Sequence, residues 1–339
     1  MIPASKVSPT RSAARALPRP CGPLSSAVVA ALSVPASASS PISVDTVDSD
    51  PYGVDLQLAL YTCYEMHYRG FTDVDDNWEW NPDLLRFRAE LEDRFSTALT
   101  TDVDPASGAR EAVDALLTEP AHGSGPSWFL KDTGTWDQMR EYFIHRSVYH
   151  LKEADPHAFA IPRLTGQAKA SFVAIEFDEY GGGHGDHVHQ KLFADLLEAA
   201  DLDADYLAYL EQVPGESLAL VNLMSMFGLH RSSRAATIGH FAATEITSPP
   251  GSQRLVHALE RLDAPDACVH FYREHVEADA MHEQVVRHDV IGDLLDREPD
   301  LEPDLVFGIN AFLFLEDKLA DHLMSCWTAG RSSLNTPDR

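Results

Sequence analysis

The stretch FYREHVEADAMHEQ, residues 271–284, places His275, Asp279 and His282 at spacings of four and then three residues. In a helix of 3.6 residues per turn, Asp279 points about 40° and His282 about 20° away from the direction of His275, so the three share one stripe. The next residue on that stripe is Val286, which is apolar. A stripe of imidazole, carboxylate and valine is expected to face inward, and an inward carboxylate is costly unless it is paired or bound to a metal. Glu274, Glu277, Glu283 and Arg287 point elsewhere and can stay in water.

Outward from this helix the pattern stays helical, with almost no alternating strand segments. LQLALYTCYEMHYRG and PDLLRFRAELEDRFSTALT precede a connector at 101–133 that is rich in Gly, Pro, Asp and Ser. Then follow TWDQMREYFIHRSVYHLKEADP, expected to end near Asp155 because Pro156 disfavours helix before it, and QAKASFVAIEFDEY, broken by Gly181–Gly183. HVHQKLFADLLEAADL (187–202), ADYLAYLEQVPGESLALVNLMSMFGL (204–229) and SRAATIGHFAATEITS come next, the last expected to stop at Pro249 and Pro250. QRLVHALERLD, the opening helix and VFGINAFLFLEDKLADHLMSCW (306–327) complete the set. This reads as an all-α bundle of about seven core helices over 130–329, with 50–129 as an N-terminal helical arm. Residues 1–48, dominated by Ala, Ser, Pro and Val, read as a disordered leader; a signal peptide or an over-extended gene start are the alternatives. Residues 330–339 read as a disordered tail.

Composition excludes several classes. Fifty-three acidic against twenty-six basic residues give a net charge of -27, which speaks against nucleic acid and against an anionic membrane surface. No run of eighteen apolar residues offers a membrane-spanning helix. Cys21, Cys63, Cys268 and Cys326 are scattered without a CxxC, which fits a reducing, cytoplasmic setting and excludes a thiolate zinc site. No GxSxG elbow supports a hydrolase triad.

The opening face needs partners, and the chain offers them. Glu153 lies in YHLKEADPHAFAIPRL with Asp155 as its competitor, and Glu179 lies in IEFDEYGGG with Glu176 and Asp178 nearby. His189 follows Glu179 by ten residues across the triple glycine, with His184 and His187 as rivals that read as an exposed polar loop. Glu153, Glu179, His189, His275, Asp279 and His282 make three carboxylates and three imidazoles, a mixed oxygen and nitrogen set that suits iron or manganese. Two metals need carboxylates to cancel their mutual repulsion, and three can supply that. Glu176, His240 and Glu245 are candidates to support those ligands or to touch substrate, Glu245 also as an extra ligand. Aromatic residues such as Phe172, Phe241, Trp78 and Trp80 read as core, and Lys152 and Arg163 as surface ion-pair residues.

EADPHAFAIPRL, EFDEYGGGHGDHVH and HVEADAMHEQ resemble the three metal-binding segments of the haem-oxygenase-like diiron oxidases, a family also described as iron-containing redox enzymes. The resemblance runs from about residue 50 to 329, with all six ligand positions filled in order. It implies a haem-oxygenase-like fold, two Fe(II)/Fe(III) ions with manganese as the alternative, and dioxygen as co-substrate. The activity it implies is oxidation of a small organic substrate, with amines or amino-acid derivatives as the leading class and N-oxygenation or oxidative C–C cleavage as outcomes. An external electron donor and a homodimer belong to the same expectation. The competing reading is a ligand-binding or metal-storage protein of this fold without redox turnover.

Overall fold

Asn81 caps the helix Pro82–Asp102, its side-chain oxygen accepting from the N–H groups of Asp83 (2.8 Å) and Leu84 (3.4 Å), while Pro82 occupies the first turn where no N–H is needed. Thr135 and Gln138 form a capping box in front of Trp136–His150. These starts recur through the computed structural model, which describes residues 15–103, 108–119 and 122–335, with 277–280 as backbone only. The helices are α1 (Pro23–Leu32), α2 (Val54–Glu65), α3 (Pro82–Asp102), α4 (Ala109–Leu116), α5 (Pro126–Asp132), α6 (Trp136–His150), α7 (Asp155–Ala158), α8 (Gly166–Glu179), α9 (His189–Ala199), α10 (Gly215–Leu229), α11 (Arg234–Arg261), α12 (Asp266–Val285), α13 (Asp293–Arg297) and α14 (Glu302–Thr328). No strand occurs among the described residues, in line with the all-α expectation.

The long α11 lies between α12 and α14 and packs along both. Its crossing with α14 is made at two glycines. A Cβ on Gly239 would run into the Leu305 carbonyl, and one on Gly308 into the Ala236 carbonyl, so the two backbones touch. One apolar core joins α1–α3 to α6, α9, α10, α12 and α14; a second lies under α4, α8, α11 and α14. A π-helical stretch, Val286–Gly292, continues α12, and Val286, expected on the inward stripe, is fully buried.

Several expectations are corrected. Residues 15–48, read as part of a disordered leader, are packed: Leu24, Val28 and Leu32 join the main core, and the Asp55 carboxylate accepts from the N–H groups of Leu24 and Ser25 at the start of α1 (2.9 Å each). Residues 1–14 lie outside the described residues. The helical segment expected over 50–129 is associated with the bundle, α2 packing on α10 and the Tyr61 hydroxyl donating to the Val148 carbonyl in α6. At the other end Ser333 is buried, its N–H and hydroxyl donating to Glu141, and the Asn335 N–H donates to the Gln212 carbonyl; residues 336–339 lie outside the described residues. Only 215–229 of the 204–229 segment is helix, beginning just after Pro214. Pro249 and Pro250 do not stop α11. They withhold two backbone donors, at a cost of roughly 3 kcal/mol or more each in an isolated helix, and packing on both flanks outweighs it. Among the described residues no helix is long and apolar enough to cross a membrane.

Candidate metal centre

Each candidate ligand is aimed by a local backbone device. α6 ends at His150, earlier than the Asp155 expected from Pro156, because Ala154 turns into the left-handed region at φ 70° before α7 restarts with Pro156 in its first turn. A left-handed alanine stores on the order of 1 kcal/mol of strain. Here it accompanies the break that leaves Glu153 buried at 6% exposure. Glu179 is the last residue of α8, and Gly181, Gly182 and Gly183 all take positive φ in the turn that follows. A Cβ on Gly181 would come within 2.7 Å of the His187 and Val188 backbone, so the turn folds on itself and restarts the chain at His189, the first residue of α9. Glu179 and His189 thereby meet, Oε2 to Nδ1, at 2.7 Å.

On α12, His275 Nδ1 donates to the Phe271 carbonyl one turn back (2.8 Å). That bond turns Nε2 toward Glu153 Oε1, 3.6 Å away, so the imidazole and the carboxylate face the same point. His282, on the same stripe, meets Glu245 of α11 (Nδ1 to Oε2, 3.1 Å) and Asp178 (Nε2 to Oδ2, 3.2 Å). The side chain of Asp279 lies outside the described residues.

The buried donors fall into two triads, Glu153–His189–His275 and Glu179–Glu245–His282, and within each the donor atoms lie within 4.8 Å of one another. Glu153 Oε2 is buried without a hydrogen-bond partner among the described residues. A carboxylate oxygen left so is costly, and a cation beside two imidazoles removes the cost. The donors are all oxygen and nitrogen, which fits iron or manganese. The residues present therefore fit a dimetal centre.

Electrostatics agree with a charged, enclosed site. Burial pushes the Glu153 carboxyl up, but His150 and His275 more than offset it and hold it well below the usual range. Burial pulls the His189 imidazole down and Glu179 reverses this, leaving its pKa raised. Glu176, deprived of water and facing Glu179 and Glu245, is pushed up to about 9.

Other candidates sort by position. Glu176 and His240 are buried beside the centre; the imidazole pair His157 Nε2 and His240 Nδ1 is 3.1 Å apart. Asp155 accepts from Tyr180 (3.0 Å) and Gln190 (3.1 Å), clasping the ends of α8 and α9. His184 and His187 are exposed, as read. Asp178, read as pointing away, instead touches His282 from a half-exposed position. Lys152 is no surface residue: it is buried 3.1 Å from Glu65 and lies over the rings of Tyr61 and Tyr68. Arg163 donates to the Gly228 and Leu229 carbonyls that end α10, and Trp80 is exposed.

Sequence reasoning missed His150, whose Nδ1 donates to Glu153 Oε1 (2.8 Å); its one signal is the i,i+3 spacing on a helix end. It also missed the half-buried Arg146–Glu316 pair (2.6 and 2.7 Å), which lies across 170 residues of sequence. Both sit on a cavity of about 350 Å³ whose wall includes Glu153, Glu179, Glu245 and His275, so the triads open directly onto a space of ligand size.

Comparison with known proteins bears on the same residues. The chain is 26% identical over 239 residues to a nitrosourea synthase of Streptomyces achromogenes subsp. streptozoticus, an alignment covering 68% of this chain and 50% of that protein. The chain thus spans about half the length of this curated relative. Residues 140–317, from α6 through most of α14 and including both triads, match the family described as iron-containing redox enzyme. With its haem-oxygenase-like all-α fold, the chain belongs to the iron-containing redox enzyme family.

Proposed function

We propose that this protein is a non-haem diiron oxygenase that uses dioxygen to oxidise a small nitrogen-containing molecule. The observation that carries this reading is the pair of contiguous buried triads opening on one cavity. Asp279 is proposed as a further ligand, since it shares the α12 stripe with His275 and His282. Bound iron would supply the oxygen and electron chemistry that no side chain provides. The chain's own residues do the rest. Phe271 fixes the His275 tautomer through its carbonyl, and His150 holds Glu153. Phe193 and Phe271, with ring centroids 4.8 and 5.1 Å from His150, keep water from that side.

The substrate class is inferred from the relative, whose named product, a nitrosourea, carries a nitroso nitrogen bound to a urea nitrogen. A substrate nitrogen is accordingly the proposed site of oxidation here. The test is oxygen uptake by protein loaded with Fe(II), in the presence of a library of small amines, amidines and guanidines, with mass analysis for added oxygen. Uptake coupled to a product, absent in Glu245→Ala, supports the reading. Uptake no greater than that of free iron across the library contradicts it.

A further inference from the structure

Glu176 lies one helical turn before Glu179 on α8 and is 2% exposed, and both of its carboxylate oxygens are buried without a hydrogen-bond partner among the described residues. A buried acceptor pair left empty is costly, and native proteins keep few of them without a reason. The triads do not explain it, because their donor atoms converge without Glu176. Nor, among the described residues, does a cation of the chain pair with it. The arginines on the cavity wall are committed elsewhere, Arg146 to Glu316 and Arg254 to Glu119 and Ser127.

What Glu176 does face is the cavity. On the same wall, Phe241, backed by Phe172 of α8 (centroids 4.7 Å), packs on His157 (5.1 Å), and His157 bonds His240, whose Nε2 is also buried without a partner among the described residues. An apolar part of the lining is formed by Leu220, Val221, Met224 and Leu313, while hydroxyls such as those of Ser217, Thr244 and Thr247 line other parts. The space therefore suits a molecule with an apolar stem and one donor-rich polar head. Glu176, whose pKa is pushed up to about 9, holds a proton at neutral pH until a cationic head group enters and that proton is released to water. Its two carboxylate oxygens side by side then accept two parallel N–H groups, the pattern that a planar amidinium or guanidinium presents.

We infer that Glu176 is a substrate-recognition carboxylate that holds a cationic, N–H-bearing head group of the substrate beside the metal triads, and so selects nitrogen bases over neutral molecules of the same shape. What happens to the bound head group rests on the diiron-oxygenase reading; the recognition itself does not.

The test uses n-butylguanidinium and n-butylurea, which match in shape and differ in charge. Each is titrated calorimetrically into the Mn(II)-loaded full chain, wild type, Glu176→Gln and Glu176→Asp, with metal content and thermal unfolding measured for every protein. The wild type is expected to bind the guanidinium at least tenfold more tightly than the urea. Glu176→Gln erases that preference with unchanged metal content and no loss of thermal stability, and Glu176→Asp, which keeps the charge, retains part of it. No preference in the wild type, an undiminished preference in Glu176→Gln, or a Glu176→Gln chain that fails to fold would overturn the inference. A variant that loses one metal would make Glu176 a ligand, overturning the inference while leaving the metal centre intact. A wild type that lacks two metals yet loses its preference on Glu176→Gln would sink the diiron reading and uphold the recognition role.

Discussion

His189 Nδ1 lies 2.7 Å from Glu179 Oε2, although the two residues belong to different triads. The three glycines between α8 and α9 bring them together, and their contact links the two triads. The pair is also an electrostatic lock. Glu179 keeps the His189 pKa raised against the pull of burial, so a metal must displace a proton as it binds.

Metal affinity should therefore depend on pH in a definite direction. Below its raised pKa His189 holds the proton and competes with the metal; above it the ring is free to bind. The apparent Mn(II) affinity is expected to climb by up to about tenfold per pH unit from pH 6 and to level off once His189 is neutral. Equilibrium dialysis at pH 6, 7 and 8 measures this, and a flat profile contradicts it.

Acid should destabilise the fold through histidines that are not candidate ligands. His145 is pushed down to about 3, first by burial and then by His322, while both ring nitrogens bond serine hydroxyls of Ser217 and Ser333 at 2.9 Å. Because its folded pKa is lowered, its contribution is fully present above the unfolded value of ~6.5 and is lost as pH falls from there toward 3, at about 1.4 kcal/mol per pH unit. His157, lowered by burial to about 4, acts in the same direction. The urea midpoint of the metal-free chain is expected to drop steadily from pH 7 to pH 5, and more gently in His145→Gln. An identical slope in the variant would show that His145 is not responsible.

The helix crossing behind the centre is a packing constraint. Adding a methyl at Gly239 or Gly308 drives it into a backbone carbonyl of the opposite helix, which cannot swing away as a side chain would. Gly239→Ala and Gly308→Ala are each expected to cost about 1–3 kcal/mol or more. Chemical unfolding reads this directly. A change under 0.5 kcal/mol at both positions contradicts the crossing.

How much of this was legible in the sequence depended on how local each signal is. The α12 stripe of His275, His282 and Val286 follows from helical period alone, and the Glu179-to-His189 spacing is carried by three adjacent glycines. The role of Glu245 was open, because its partners Glu179 and His282 come from other helices and α11 was expected to stop at Pro249. α1 was missed for a similar reason: its N-terminal N–H groups are capped by Asp55, which lies 30 residues downstream of Ser25, and its Ala, Ser and Val residues read as low complexity without that partner. Pro156 marked the end of α6 to within a few residues, but the left-handed turn at Ala154 had no marker, since an alanine in that region leaves no trace in composition.

The most direct test of the two-triad centre is anaerobic Fe(II) titration of the wild type, Glu153→Ala and Glu245→Ala, with bound iron counted per chain. The triads predict two irons in the wild type and one in each variant, since each variant removes a carboxylate from a different triad. No stoichiometric binding in the wild type, or two irons retained in both variants, would contradict the centre.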